Sequence, residues 1–305
     1  MYQRIIEIET PGTRVRLSGG QIRIESPGRD AVLLPAETCA VLILATPAVS
    51  LSGAALSALA ERGAITLFCD AKHLPSVVAL PCFSGCAPPR VLQLQTSQSL
   101  PSKKRVWRDL VRRKIRNQAL LLSELGLDAA PLNALADAVK PGDPDNVEAR
   151  AARLYWRALK IVPKRERTRE DANLLLNYAY AILCASTARA LCASGLHLAL
   201  GVHHHNRCNP YCLASDMMEP YRAFAERAVI ACLTRSGDDD FLCRENRLSV
   251  ADFLTNARVE FGKEFVAITT ALRRTAASFL EVLGKSAEKI ELPGGRCRHV
   301  AVRDV

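Results

Sequence analysis

The sequence predicts an α+β fold in two domains: a small N-terminal β-sandwich-like domain with one embedded helix (residues 1–85) and a larger all-α C-terminal domain (residues 103–290). Three observations predict it. Short runs alternate polar and apolar residues over the first part of the chain, a stretch rich in Pro, Gly, Ser and Gln follows from Pro81 to Ser102, and helical periodicity takes over beyond it. Residues 86–102 are then expected to form a linker. Residues 291–305, which include Pro293, Gly294 and Gly295, are expected to be a loosely held tail.

The alternating runs are RIIEIE, TRVRLS, QIRIES, AVLLP, AVLILA, ITLFCD and SVVALP. Each has the length and pattern of a strand with one covered face. Gly19 and Gly20 mark a turn between the second and third. LSGAALSALAERG breaks the pattern, with Ser52 placed to cap a helix N-terminus and Gly63 placed to stop it. The longest uncharged run, Thr38 to Ala60, reaches membrane-spanning length, but Pro47, Ser50, Ser52 and Gly53 interrupt it, so it reads as a buried strand followed by that helix.

Past the linker, KKRVWRDLVRRKIRNQALLLSEL sets Trp107, Val111, Ile115, Gln118 and Leu122 along one side of a helix. Arg105, Arg108, Arg112 and Arg116 fall on an adjoining stripe. DPDNVEARAARLYWRAL opens with capping residues and is expected to bury Ala152, Tyr155, Trp156 and Leu159. NLLLNYAYAILCASTARALCASG reads as a long helix ended by Gly195.

Composition narrows the function. Lysine and arginine number 41 against 31 acidic residues, a net charge of +10, which favours a polyanionic partner such as nucleic acid. The excess is concentrated: residues 91–170 carry 17 basic and 9 acidic groups. The N-terminal MYQRIIEIETPG has acidic residues where an export signal needs an apolar core, so a cytoplasmic protein with no membrane partner is expected. The eleven cysteines, an odd count, then read as thiols in a reducing compartment.

Chemistry-bearing residues are densest in GVHHHNRCNPYCLASDMMEPYR, residues 201–222. A helix beginning near Ser215 would place Asp216 and Glu219 on one face and Arg222 about a turn further on. Carboxylates with one imidazole suit Mg²⁺ or Mn²⁺, the ions of phosphodiester chemistry. Glu148, at the start of an alanine-rich helix, is a candidate third ligand, although an isolated glutamate there also reads as a first-turn acid complementing the helix dipole. A second arrangement would join His203, His204 and His205 with Cys208 and Cys212 in a structural zinc site. Cys82 and Cys86 repeat the three-residue gap and read as coincidence. Between Lys103 and Arg116 eight basic residues face one acid, which favours phosphate contact over a merely solvated face.

GDPDNVEARAARLYW, EDANLLLNYAYAIL and GVHHHNRCNPYCLASDMMEPYR occur in an order and at distances that resemble the universal CRISPR-associated integrase, the larger adaptation protein. The doublet of histidines after Gly201 and the Asp-Met-Met-Glu-Pro-Tyr-Arg string look most like the compact variant found beside type II effectors. The resemblance implies a β-rich dimerisation domain, a helical catalytic domain and a homodimer that works with a small ferredoxin-like adaptation partner. The type II effector nuclease is a further candidate partner.

It places the family's metal-binding glutamate on Glu148, its histidine on His204, with His203 and His205 as alternatives in register, its closing acid on Glu219 and a nearby aspartate on Asp216. The implied activity is a Mg²⁺- or Mn²⁺-dependent endonuclease and integrase that joins the 3′-hydroxyl ends of captured DNA fragments to a CRISPR repeat. Lys103, Lys104, Arg105, Arg108, Arg112, Arg116, Lys160, Lys164, Arg165, Arg167 and Arg222 are the expected contacts to double-stranded DNA. Two other readings stand beside it: a transposon-encoded integrase using the same site, and a non-catalytic DNA-binding module stabilised by zinc.

Overall fold

A computed structural model describes residues 4–71, 74–79, 88–162, 165–166, 168–169, 171–235 and 240–299. The alternating runs form β1 (Arg4–Ile8), β2 (Arg14–Ser18), β3 (Gln21–Glu25), β4 (Val32–Pro35), β5 (Cys39–Leu44), β7 (Ile65–Cys69) and β8 (Pro75–Ala79). A two-residue β6 (Ser50–Leu51) adds to them, and α1 (Gly53–Glu61) is the embedded helix. Ser52 Oγ accepts the Ala55 amide at the start of α1, and Gly63, at φ +76°, turns the chain just after its end. Two four-stranded sheets result, in the orders β1-β5-β7-β8 and β4-β3-β2-β6.

All six residues of β5 are buried, because the strand is covered on both faces. Leu42 and Leu44 point into a small core with Val15, Ile22, Ala55 and Leu59. Val41 and Ile43, one register position away, point with Ile65 and Leu67 into the main core that the helices complete. One sheet is therefore a wall shared by both parts of the molecule.

The second part is built from α2 (Pro88–Thr96), α3 (Leu100–Glu124), α4 (Ala130–Ala138), α5 (Val147–Leu159), α6 (Asn173–Ala193), α7 (Cys212–Met217), α8 (Arg222–Arg235), α9 (Arg244–Asn256) and α10 (Ile268–Leu283). The expected linker over 86–102 is corrected by α2 and by the first turn of α3, which Ser99 caps by accepting the Ser102 amide.

The C-terminal part is also not all-α. β9 (Arg258–Phe261) and β10 (Glu264–Ala267) form a hairpin, and β11 (Cys297–Arg298) joins its other edge. That pairing corrects the loose tail as far as residue 299: Gly294 donates its amide to the Glu260 carbonyl at 2.8 Å, and Thr275 Oγ1 donates to the Glu291 carbonyl at 3.0 Å. α6 is long and apolar enough to cross a membrane, yet 72% of its apolar window is buried inside the protein, as befits a central core helix.

Candidate functional site

The site is assembled on α3. Three of its side chains, Trp107, Lys114 and Asn117, are buried and spaced so that they follow one side of the helix. Asn117 donates to the Pro220 carbonyl at 2.7 Å, which fixes the 3-10 turn Glu219–Tyr221 against α3. Lys114 Nζ lies 2.5 Å from Glu148 Oε1 and 2.6 Å from Glu219 Oε2. The two glutamates, 71 residues apart in sequence, thus meet at one nitrogen.

Glu148 owes its position to the turn before α5. Asp143 and Asn146 adopt left-handed φ of 49° and 50°, and the Asp143 carboxylate accepts the amides of Val147 (2.8 Å) and Glu148 (3.0 Å), capping the helix N-terminus. Further along α5, Tyr155 donates its hydroxyl to buried Glu226 at 2.6 Å and locks the helix onto α8. The buried stripe of α5 is Val147, Ala151, Tyr155 and Leu159; the expected Ala152 and Trp156 are only half-buried, one position off that stripe.

Glu219 is 3% exposed. Burial alone would push its carboxyl up, but Arg222, at 2.8 Å from Oε1, and Lys114 outweigh that and hold it below the usual carboxylate range. Lys114 is likewise penalised by burial and held in its charged form by Glu219 and Glu148, with its pKa above the ordinary lysine value.

Asp216 plays a different part from Glu219. It is fully buried and accepts the amides of Val202 (2.6 Å), His203 (3.0 Å) and His204 (3.2 Å) together with His204 Nδ1 (2.5 Å). Three successive amides wrapped on one carboxylate make an anion cradle. Gly201 opens it: an added Cβ would lie 3.0 Å from Asp216 Oδ2 and 3.0 Å from Cys212 Cβ. An ionised carboxylate only accepts, so Nδ1 of His204 carries a proton and, in the neutral ring, Nε2 is the nitrogen with a free lone pair. The bond to Asp216 raises the His204 pKa, burial opposes it, and the charges of Asp216, Glu219 and Glu148 add to the rise.

The structure therefore separates the three histidines. His204 is the one tied to Asp216. His203 stacks on Trp107 with ring centroids 4.1 Å apart and planes 3° from parallel, and His205 is exposed. The expected helix start near Ser215 is corrected to Cys212, and α7 ends before Glu219, so Asp216 and Glu219 face different partners rather than one shared face.

Among the described residues no three His, Cys, Asp or Glu side chains are gathered closely enough to hold a metal as they are placed. For the zinc arrangement this follows from Cys212, whose thiol is buried against the Asn209 and Asn206 carbonyls, and from Cys208, which is exposed. Cys82 and Cys86 lie outside the described residues. At Glu148 and Glu219 the Lys114 ammonium stands between the two carboxylates. These residues still suit a divalent ion. Two carboxylates already converge on one cation, and an oriented imidazole feels both charges.

A family profile described as CRISPR associated protein Cas1 matches residues 6–256. The chain belongs to the Cas1 family. A CRISPR-associated endonuclease Cas1 from Neisseria meningitidis serogroup C (strain 8013) is 39% identical over 221 residues, 72% of each chain. Among solved structures, a casposase bound to integration product matches with a TM-score of 0.77 at 18% identity, covering 95% of this chain and 92% of that one. A Cas6-RT-Cas1–Cas2 complex matches with a TM-score of 0.67 at 17% identity, covering 93% of this chain and 35% of that one. At those identities the structural likeness is one of fold.

In this Cas1 chain the expected DNA-contacting residues divide. Lys104 and Arg105 are exposed and Lys103 is half-buried. Arg108 pairs with Asp109, while Arg116 pairs with Asp137 of α4 at 2.6 Å and Arg112 donates to the Asp137 carbonyl at 3.2 Å, so part of that stripe is turned onto α4. Arg165 bonds Asn173 and Asn177 and lies over the Tyr180 ring, and Arg222 lies over the same ring while pairing with Glu219. Both guanidinium groups are half-buried and engaged within the chain. Lys164 and Arg167 lie outside the described residues.

Sequence reasoning passed over Arg150, Arg153 and Arg157. They are exposed on α5 with Lys160 just past its end, and a spacing of three, four and three residues puts all four on one face. That spacing stands in EARAARLYWRALK and is the signal that would have found them.

Proposed function

We propose that this chain is a metal-dependent DNA integrase and endonuclease of CRISPR adaptation, with Glu148, His204 and Glu219 as ligands of one Mg²⁺ or Mn²⁺ ion. The observation that carries the reading is the convergence of Glu148 and Glu219 on one buried cation beside an imidazole oriented by Asp216. A relative known as a CRISPR-associated endonuclease and a casposase of like fold bound to integration product agree with it.

In the reaction, the 3′-oxygen of a captured fragment attacks a phosphorus at a repeat border. One phosphodiester forms as the bond to the repeat strand's own 3′-oxygen breaks, and the proton lost by the attacking hydroxyl is balanced by one taken up by the leaving oxygen. A divalent ion at Glu148, His204 and Glu219 would polarise that phosphodiester and offset its developing negative charge. The protein's own groups do the positioning. Asp216 fixes the His204 tautomer, Arg222 and Lys114 keep Glu219 ionised in a buried setting, and Trp107 braces the histidine turn.

The DNA track runs along the exposed arginines of α5 and the start of α3, by phosphate contacts that fix position rather than read sequence. The two-domain layout, with dimerisation through residues 1–85, and a small ferredoxin-like partner belong to the same reading; Cas2 in the name of a similar complex supports such a partner.

The test is half-site integration of a DNA fragment into a repeat-containing plasmid, with Mn²⁺ and the small partner. Glu148→Ala and His204→Ala are expected to lose integration by about 10²-fold or more with unchanged far-UV circular dichroism. Wild-type activity in both would end the assignment.

A further inference from the structure

Lys114 does something a metal ligand set does not call for. Its ammonium is buried in the protein and paired at 2.5 and 2.6 Å with two of the three residues assigned to the ion. A divalent ion bonded to both carboxylates would sit about 2.1 Å from each oxygen. It would therefore overlap the ammonium nitrogen, and the two cations are alternatives.

Charge gives the same result. Glu148 and Glu219 are balanced by Lys114 and Arg222. Adding a divalent cation with Lys114 still in place would crowd like charges where water screens them poorly.

The side chains differ in their capacity to yield. Arg222 is held by its pair with Glu219 Oε1 and by the Tyr180 ring. Lys114 is a point charge on a flexible stem, which can swing away without moving the backbone. Its ammonium is shared between Glu148 Oε1 and Glu219 Oε2, as for a cation filling a position between two acceptors rather than a donor serving one. Glu148, whose side chain is 26% exposed, is the more open of the two carboxylates.

Resting on the metal reading above, we propose that Lys114 is a positioning residue, a resident cation that holds Glu148 and Glu219 together until a divalent ion displaces it. The exchange keeps two buried carboxylates from repelling each other in the metal-free protein. It also makes metal binding weaker than the three ligands alone would give, since each ion that binds must break the lysine pairs.

The experiment is a titration of full-length protein with Mn²⁺, followed by the electron paramagnetic resonance signal of the free ion. Lys114→Met is expected to bind Mn²⁺ roughly tenfold more tightly than wild type, the equivalent of one charge-assisted hydrogen bond no longer broken on binding. It is also expected to melt at a lower temperature in EDTA and to gain more from Mn²⁺ than wild type does. Lys114→Arg, which keeps the charge, is expected to show no such tightening. Equal or weaker binding by Lys114→Met would overturn the exchange.

Should Lys114→Met fail to fold, wild-type crystals soaked in Mn²⁺ decide. Anomalous signal at the two glutamates with Nζ withdrawn supports the exchange. The same signal with Nζ still paired to both carboxylates overturns the exchange alone. Signal elsewhere overturns the metal reading and the exchange together.

Discussion

Four hydrogen bonds end on the Asp216 carboxylate, one of them from the imidazole of His204, the proposed metal ligand. Bonds to a charged group contribute about 1.5–3 kcal/mol each, and stranding buried donors costs more than the mean bond gains. Asp216→Ala is therefore expected to lower the thermal midpoint and to weaken Mn²⁺ binding by about 10–100-fold although Glu148, His204 and Glu219 all remain; unchanged Mn²⁺ affinity would show that the aspartate does not orient the histidine. At this scale the sequence was informative about type and less so about role. Three adjacent histidines are equivalent in one dimension, and only the fold shows that the amide cradle reaches His204 while Trp107 takes His203. Lys114 was hidden among eight basic residues of one segment, because a buried lysine and a solvated one look alike until the carboxylates opposite are known.

Among the elements, α5 holds both a proposed metal ligand and an exposed basic face. Glu148 sits in the first turn, capped by Asp143, and Arg150, Arg153 and Arg157 leave the same helix toward solvent. Of the four arginines in the expected α3 stripe, Arg105 is exposed, Arg108 and Arg116 pair with Asp109 and Asp137, and Arg112 donates to the Asp137 carbonyl. Replacing Arg150, Arg153 and Arg157 with Gln is expected to weaken DNA binding and to flatten its dependence on salt, by about one unit of slope for each phosphate that is no longer neutralised. The same change at Arg108, Arg112 and Arg116 is expected to do less; the reverse order in fluorescence-anisotropy titrations at several salt concentrations would move the track back to α3. The strands and long helices were legible because alternation and helical spacing run over many residues. The β9–β10 hairpin was missed although Val259, Phe261 and Val266 alternate about Gly262 and Lys263, because two four-residue strands between helices give little pattern to weigh. α2 was hidden by its prolines, which suit a first turn as well as a linker, and by its glutamines, of which Gln93 is exposed and Gln95 is buried against the His197 backbone.

For the whole molecule, the two parts share a wall instead of meeting through a linker. β5 and β7 contribute to the helical core, and Arg247 of α9, 3% exposed, pairs with Glu7 of β1 at 2.7 Å and also with Glu9. No local pattern could show this, since Glu7 and Arg247 are 240 residues apart. Breaking a buried pair by removing one partner costs about 3–5 kcal/mol, so Arg247→Met is expected to lower the urea midpoint accordingly, with tryptophan fluorescence and circular dichroism still unfolding together. A separate transition for the N-terminal strands would contradict the shared wall.

The central claim is that Glu148, His204 and Glu219 hold one ion. Its most direct test is Mn²⁺ titration of wild type and of Glu148→Gln, His204→Ala and Glu219→Gln, read from the free-ion resonance signal. One ion per chain is predicted, with affinity falling about tenfold or more in each variant; wild-type binding in all three would contradict it.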